Sequence, residues 1–141
     1  MDETDRALIR NLSADARATT TALAHSLGLA RSTVQSRIER LEARGIITGY
    51  TLRLAEEYER RQIKTHVMIA VAPKQAGGVV AALGKMPGVT SLYAISGEYD
   101  LIAIITAPTT EVIDQAIDAI GGLDGVARTN SSVVLSTKFE R

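Results

Sequence analysis

The feature that most constrains the fold is a set of three segments within the first 44 residues, in each of which apolar residues recur at helical spacing, joined by very short connections. The first segment ends near Asp15, the second ends at Gly28, and the third begins at Arg31. Glycine suits the left-handed position that ends a helix, and Thr19 or Thr20 suits the cap that begins one. The apolar members share helical spacing: Leu8, Ile9, Leu12, Leu23, Ala24, Leu27, Val34, Ile38 and Leu41. The pattern predicts a helix-turn-helix.

The third predicted helix, from Arg31 to Arg44, has one apolar stripe and one polar face. Val34, Ile38 and Leu41 fall at i, i+4 and i+7 and face a core. Small hydroxyls and an amide on the other face can donate and accept hydrogen bonds to base edges in a major groove. The same pattern is typical of the solvated face of an ordinary helix. If the helix contacts DNA, the contacting residues are Arg31, Ser32, Thr33, Gln35, Ser36, Arg37 and Arg40.

The segment that follows, residues 45–53, contains two glycines and an alternation of β-branched residues. Such composition favours short extended segments bounded by turns. We therefore expect a short ribbon, or wing, after the third helix.

Composition limits the chemistry available to the chain. There is no cysteine, which excludes disulfides, thiolate metal ligands and a cysteine nucleophile. His25 and His66 lie far apart without metal-ligand spacing, and we expect His25 on the surface of the second helix. The sequence predicts no metal, no cofactor and no catalytic site. Because it shows neither a signal sequence nor an apolar run of membrane length, we expect a soluble cytoplasmic protein.

The net charge of zero, from 16 basic and 16 acidic residues, argues against nucleic-acid binding, because phosphate contacts need cations. The distribution weakens that objection. Ten of the 16 basic residues, all of them arginine, lie within residues 1–61. The local pattern therefore has to decide whether DNA is bound.

The C-terminal half alternates strands and helices after a charged connection at residues 54–62, which is equally interpretable as a solvated turn of helix. The predicted strands cover residues 63–71, 89–96, 99–106 and 126–139, and the predicted helices cover residues 75–86 and 109–120. The order β-α-β-β-α-β is the ferredoxin-like arrangement, an antiparallel sheet with both helices on one face. The predicted fold class is α+β.

Several phrases carry a resemblance to a known family. Residues 23–29 are Leu-Ala-His-Ser-Leu-Gly-Leu, residues 41–50 are Leu-Glu-Ala-Arg-Gly-Ile-Ile-Thr-Gly-Tyr, and residues 96–100 are Ser-Gly-Glu-Tyr-Asp. The whole chain resembles the Lrp/AsnC (feast/famine, leucine-responsive) regulators. One departure is that Ala30 and Arg31 stand where the family usually has serine and then proline. Alanine is a poor helix cap, so we expect the third helix to be capped by Ser32 or to start slightly later.

The resemblance implies a transcriptional regulator with two domains joined by residues 54–62. Residues 1–53 would form a winged helix-turn-helix that binds double-stranded DNA. Residues 63–141 would bind a small effector, an amino acid, and form a homodimer or higher oligomer. In the family the turn at residues 96–100 lines the effector site, whereas the residues alone also fit a plain hairpin turn. The implied effector-binding residues are Gly97, Glu98, Tyr99, Asp100, Thr129, Ser131 and Ser132.

An enzyme is the main alternative. Sirohaem decarboxylases share the fold of these regulators and act on a tetrapyrrole, and a fold match alone does not separate the two classes. A tetrapyrrole with many carboxylates needs several converging cations. The cations after residue 61 are only Lys64, Lys74, Lys85, Arg128, Lys138 and Arg141. This scarcity favours the regulator.

Overall fold

A computed structural model describes residues 1–59 and 61–140, and the chain divides into two compact units, Met1–Arg53 and Leu54–Arg141. The segment predicted as a connection, residues 54–62, contains a four-residue helix, α4 (Glu56–Glu59). Arg60 of that segment and Arg141, the last residue of the predicted effector domain, lie outside the described residues.

Three helices form the N-terminal unit, and local signals set their ends. The helices are α1 (Glu3–Ala14), α2 (Thr20–Leu27) and α3 (Arg31–Ala43). Asp2 caps α1 and exchanges hydrogen bonds with Asp5 in a capping box, and the hydroxyl of Thr19 caps α2. Gly28 ends α2 with a φ of +65°, the left-handed conformation that glycine adopts without strain. The predicted helix-turn-helix is confirmed.

The core of this unit includes the predicted stripe of α3. Val34 and Leu41 are fully buried, and Ile38 packs against a cluster that contains Leu8 and Leu23. One face of α3 is therefore fixed against α1 and α2, which leaves the opposite face in solvent.

The start of α3 differs from the prediction. The helix begins at Arg31, and Ala30 occupies the cap position without a side-chain hydrogen bond, so the expected cap at Ser32 was wrong. The N–H of Val34 donates to the carbonyl of Ala30 at 3.1 Å. Packing supplies most of the stability of a helix in a protein, so the buried Val34 can hold the first turn without a polar cap.

Residues 45–53, where a ribbon was predicted, are all described and contain no strand. Gly45 has a φ of +66°, and the N–H groups of Ile46 and Ile47 both donate to the carbonyl of Leu41, at 2.9 and 3.2 Å. These N–H groups therefore complete the end of α3 and do not pair with a strand. Because an extended segment needs a paired neighbour to be stable, residues 45–53 form no strand.

The C-terminal unit is a four-stranded antiparallel sheet with two helices. Its elements after α4 are β1 (Ile63–Val71), a 3-10 turn (Pro73–Gln75), α5 (Ala76–Gly84), β2 (Val89–Ala94), β3 (Leu101–Ala107), α6 (Thr110–Gly121) and β4 (Val126–Val133). The strand order is β2-β3-β1-β4, and each neighbouring pair is antiparallel. The predicted α+β class and the β-α-β-β-α-β order are confirmed.

The sheet buries one face. Alternate residues of the central strands, such as Val67 of β1 and Ile105 of β3, pack in one core with the helix residues Leu83 and Ile120. The other face carries half-buried residues of β1 and β3: His66, Met68, Ile102 and Ile104.

Strands β4 and β3 differ from their predicted bounds. β4 stops at Val133, which pairs with Thr65, because its partner β1 begins at Ile63 and offers few further positions. β3 starts at Leu101, so Tyr99 falls in the turn before it. The turn at residues 96–100, called the effector turn below, is therefore longer than the sequence suggested.

Candidate functional site

The outward face of α3 carries residues predicted to contact bases. Ser32, Gln35 and Ser36 are exposed, Thr33 is half-buried, and Arg31 is exposed in the first turn. Because the apolar stripe of the same helix is buried, these polar side chains lie on the accessible side of a firmly packed element.

Hydrogen bonds orient the amide of Gln35. The hydroxyl of Thr20 on α2 donates to its Oε1 at 3.3 Å, and its Nε2 donates to Oε1 of Glu39 at 2.8 Å. An amide presents one donor group and one acceptor, the combination that matches the major-groove edge of adenine. Of the exposed side chains on this face, Gln35 is thus the best suited to read a base.

The structure places Arg37 differently from the DNA-facing position expected for it. Its Nη1 donates to Asp2 Oδ2 at 2.7 Å and to Asp5 Oδ1 at 2.8 Å, and only 23% of its side chain is exposed. Arg40 is half exposed, and its Nη2 donates to both oxygens of Asp5 at 3.1 and 3.2 Å. Arg37 therefore serves the packing of α3 on α1, whereas Arg40 retains accessible donors.

The carboxylates of this cluster are held in the charged form. The hydrogen bond from Arg37 lowers the pKa of Asp5 from 3.8 to about 2, although burial opposes the shift. The backbone hydrogen bond from Asp5 and then the contact with Arg37 lower the pKa of Asp2. The two carboxylates raise the pKa of Arg37. At neutral pH the cluster is fully ionised.

Asp5 was missed by the sequence analysis, although a signal was present. It lies three residues before Leu8 and seven before Leu12, so it is an acidic residue on the apolar stripe of α1. A buried charge requires a partner. An acid on the apolar stripe of α1 thus calls for cations on the helix packed against it.

The predicted effector turn is a tightly bonded connection between β2 and β3. Gly97 has a φ of +115°, which favours glycine. Asp100 donates its N–H to the carbonyl of Ile69 at 2.9 Å, and its Oδ2 accepts from the N–H of Val71 at 2.9 Å. Its side chain therefore joins the turn to the end of β1, and the residue as a whole is exposed.

Arg128 at the start of β4 reaches this turn and was absent from the predicted effector-binding residues. Its Nη2 donates to Glu98 Oε1 at 2.9 Å and to the Glu98 carbonyl at 3.4 Å. Its guanidinium carbon lies 4.9 Å from the centre of the Tyr99 ring. A cation, an acid and an aromatic ring thus meet beside Asp100. From the sequence, Arg128 was named only among the few cations that follow residue 61.

The hydroxyl residues of β4 do not share one face. Thr129 pairs with Ile69 and Ser131 with Val67, so both lie in register with buried residues of β1. Ser132 pairs with His66 and points to the other face, because successive side chains of a strand alternate. The structure therefore separates Ser132 from the other two hydroxyls.

One cleft of the C-terminal unit lies away from the effector turn. A cleft of about 690 Å³ in the C-terminal unit is lined by Ile63, Lys64, Thr106, Val133 and Leu135, among others. These residues lie where β1 begins and β3 and β4 end, whereas the turn lies at the opposite end of the sheet.

Within the residues that the structure describes, no group of three or more His, Cys, Asp or Glu side chains could hold a metal ion. None of the described helices is long and apolar enough to cross a membrane.

Comparison with known families agrees with this architecture. A family model described as the AsnC-type helix-turn-helix domain matches residues 1–42, and one described as the Lrp/AsnC ligand binding domain matches residues 65–141. The chain belongs to the Lrp/AsnC family of helix-turn-helix transcriptional regulators, as the resemblance implied.

Individual relatives cover almost the whole chain. The chain is 34% identical to the regulator LrpA of Mycobacterium tuberculosis, over 99% of this chain and 93% of the relative. It is 32% identical to the regulator LysM of Saccharolobus solfataricus, over 99% of this chain and 96% of the relative. A solved structure of a feast or famine regulatory protein from M. tuberculosis, complexed with L-methionine, has a TM-score of 0.87 at 34% identity and covers 99% of this chain and 95% of its own.

Proposed function

We propose that this chain regulates transcription by binding double-stranded DNA sequence-specifically through α3, in a manner that a small effector controls. The observation that carries the proposal is the outward face of α3. Ser32, Gln35 and Ser36 are exposed there, while Val34 and Leu41 on the opposite side are fully buried. A rigid helix with compact polar side chains is what major-groove recognition requires.

Phosphate contacts are assigned to arginines beside this face. Arg31 is exposed in the first turn, where helix N–H groups also favour an anion. Arg40 is half exposed and is held by Asp5 through one nitrogen, which leaves other donors free of that contact. These residues position the helix, and Ser32, Gln35 and Ser36 read the sequence.

The proposed effector is an amino acid that binds at the turn of residues 97–100. An amino acid needs a carboxylate for its ammonium group and donors for its own carboxylate. Asp100 supplies the first, Arg128 and the N–H groups beside Gly97 supply the second, and the Tyr99 ring offers an apolar wall. The L-methionine complex of the M. tuberculosis relative supports this class of ligand.

We further propose that the chain forms at least a homodimer in the cytoplasm. The sheet face that carries Met68, Ile102 and Ile104 is only half-buried, and Tyr93 beside it is 57% exposed. A second copy would cover these apolar groups. A monomer in sedimentation velocity at micromolar concentration would contradict this part of the proposal.

A mobility-shift assay tests the DNA proposal. The wild type is expected to shift the region upstream of its own gene at concentrations that leave a coding duplex of equal length unbound. Gln35→Ala should lose the preference, whereas Gln115→Ala, an exposed glutamine of α6, should keep it. Equal binding of both duplexes by the wild type would refute sequence-specific recognition.

A thermal-shift screen against the twenty amino acids tests the effector. A ligand at about 100 times its Kd should stabilise the protein by about 2.7 kcal/mol. The enzyme alternative makes a different prediction, because a sirohaem decarboxylase would bind a tetrapyrrole. A shift in the visible absorbance band of an added tetrapyrrole that occurs only when the protein is present would favour that alternative.

A further inference from the structure

Asp5 is a carboxylate buried between two helices. Its side chain is 2% exposed, and both of its oxygens accept hydrogen bonds from more than one donor. Oδ1 accepts from Arg37 at 2.8 Å and Arg40 at 3.1 Å, and Oδ2 accepts from Arg40 and from the N–H of Asp2, both at 3.2 Å. The α1 carboxylate is thus saturated chiefly by two residues of α3.

This arrangement is not needed for helix packing alone. A buried ion pair is often no more stabilising than an apolar contact of the same volume, because both charges must leave water. What it adds is direction, since hydrogen bonds to a fixed carboxylate hold a donor in one place. Leu8 of α1 and Val34 of α3 already belong to one apolar cluster, but apolar attraction is non-directional, whereas hydrogen bonds to a carboxylate have a defined geometry.

The position of the contact on α3 decides what it fixes. At about 100° per residue, Arg37 and Arg40 lie on one flank of the helix, roughly a quarter turn from Ser32 and Ser36. A rotation of about 20° at an outer radius of about 6 Å moves a side chain by about 2 Å. That displacement is enough to break a hydrogen bond to a base. A contact on this flank therefore controls how the outward face meets a groove.

We propose that Asp5 is a positioning residue for DNA recognition: it fixes the rotation of α3 and withholds Arg37 from the phosphate backbone. The inference rests on the proposed DNA binding. Withholding Arg37 limits the sequence-independent attraction of the domain to DNA, while the fixed rotation maintains the contacts that discriminate bases. Both effects raise the ratio of specific to non-specific binding.

The test compares Asp5→Asn with Glu3→Gln. Glu3 is on the same helix, its side chain is 73% exposed, and its removal changes the net charge equally. Two duplexes serve as probes: one recovered by the wild-type protein from a random library, and a scrambled version of it. Three quantities are measured. The first is the Kd ratio, defined as the Kd for the scrambled duplex divided by the Kd for the selected duplex. The others are the salt dependence of binding to the scrambled duplex and the amide hydrogen exchange of residues 31–36.

The expected results separate positioning from charge. Asp5→Asn should reduce the Kd ratio by about tenfold, the scale of one lost base contact. Because only Asp2 then still holds Arg37, the slope of log K against log salt for the scrambled duplex should steepen, by at most about 0.9. Exchange of residues 31–36 should become faster. Glu3→Gln should leave the Kd ratio and the exchange unchanged. Equal ratios for the two variants, or unchanged exchange in Asp5→Asn, would overturn the proposal.

Arg37→Lys provides a second variant that keeps the net charge. Arg37 donates to Asp2 and Asp5 through one nitrogen, Nη1, of a rigid planar guanidinium, whereas a lysine ammonium is a compact point charge on a flexible stem. The Kd ratio should also fall in Arg37→Lys, and an unchanged ratio would overturn the proposal. If Asp5→Asn does not fold, this variant provides the test. If the wild type selects no sequence from the library, the proposed function fails. The exchange comparison then still decides whether Asp5 holds α3.

Discussion

Replacing Gly125 with alanine is expected to destabilise the C-terminal unit through two separate effects. Gly125 lies between α6 and β4 with a φ of +96°, and its carbonyl accepts from the N–H of Ala72 at 2.8 Å. A Cβ at this position would lie 2.5 Å from the Cβ of Gln75. Because that atom is attached directly to the backbone, the contact cannot be relieved by a change of rotamer.

The magnitude follows from adding the two effects. A non-glycine residue at positive φ costs about 1–3 kcal/mol. Overpacking by a methyl group costs about 1–3 kcal/mol. Gly125→Ala should therefore lower the free energy of unfolding by about 2–6 kcal/mol. Gly97→Ala is the matched control, since its φ is +115° and no heavy atom lies within 4 Å of its added Cβ. It should show only the first effect.

Urea unfolding followed by near-ultraviolet circular dichroism measures both variants. Three of the four tyrosines, Tyr58, Tyr93 and Tyr99, belong to the C-terminal unit, so the signal mainly reports that unit. Adding Gln75→Gly to Gly125→Ala should restore about 1–3 kcal/mol, because it removes the atom in conflict. If Gly125→Ala is no less stable than Gly97→Ala, or if Gln75→Gly restores nothing, the steric reasoning is refuted.

Three further predictions concern the two sites. Arg40→Ala should weaken binding to all duplexes alike and reduce the slope of log K against log salt by about 0.9. Gln35→Ala should instead change the sequence preference. An unchanged slope for Arg40→Ala would contradict the assignment of Arg40 as a phosphate contact. Asp100→Asn should weaken amino-acid binding, measured by calorimetry, by about tenfold or more, which is the scale of a hydrogen bond to a charged group. The variant should still fold, because the amide oxygen of the asparagine can accept from the N–H of Val71. The pKa of Asp5 is depressed in the folded state, so its contribution to stability should be complete above pH 3.8 and be lost as the pH falls towards 2. The wild type should therefore lose its stability advantage over Asp5→Asn in that window, as measured by far-ultraviolet circular dichroism, and a constant difference down to pH 2 would contradict the assignment.

The parts of the fold that the sequence predicted are those governed by neighbouring residues. The stripe of Val34, Ile38 and Leu41 follows from helical periodicity, and Gly28 and Thr19 mark helix ends because their effects act within one turn. The order of strands and helices in the C-terminal half is equally local. Periodicity and helix-end signals were therefore sufficient for the order of helices and strands.

The parts that the sequence did not predict depend on residues that are far apart. Asp5 and Arg37 are separated by 32 positions, so no local pattern shows that Arg37 pairs with a carboxylate. The faces of Ser131 and Ser132 depend on the register of β4 against β1. The ribbon at residues 45–53 failed for a related reason, since β-branched residues form a strand only where a partner is available.

The two candidate sites also differ in how complete they are in one chain. The outward face of α3 is held by contacts within the N-terminal unit. At the effector turn, by contrast, the side chain of Glu98 is 74% exposed and Asp100 is exposed as well, so one turn leaves most of a ligand in solvent. Small-molecule sites usually bury about 70–90% of a ligand. We therefore expect a second copy of the chain to complete the site.

A ligand that binds only the assembled form stabilises that form by mass action, and assembly strengthens ligand binding by the same factor. Effector binding at the turn can then change how many copies of α3 are held together on DNA without any contact between the effector and the DNA-binding unit.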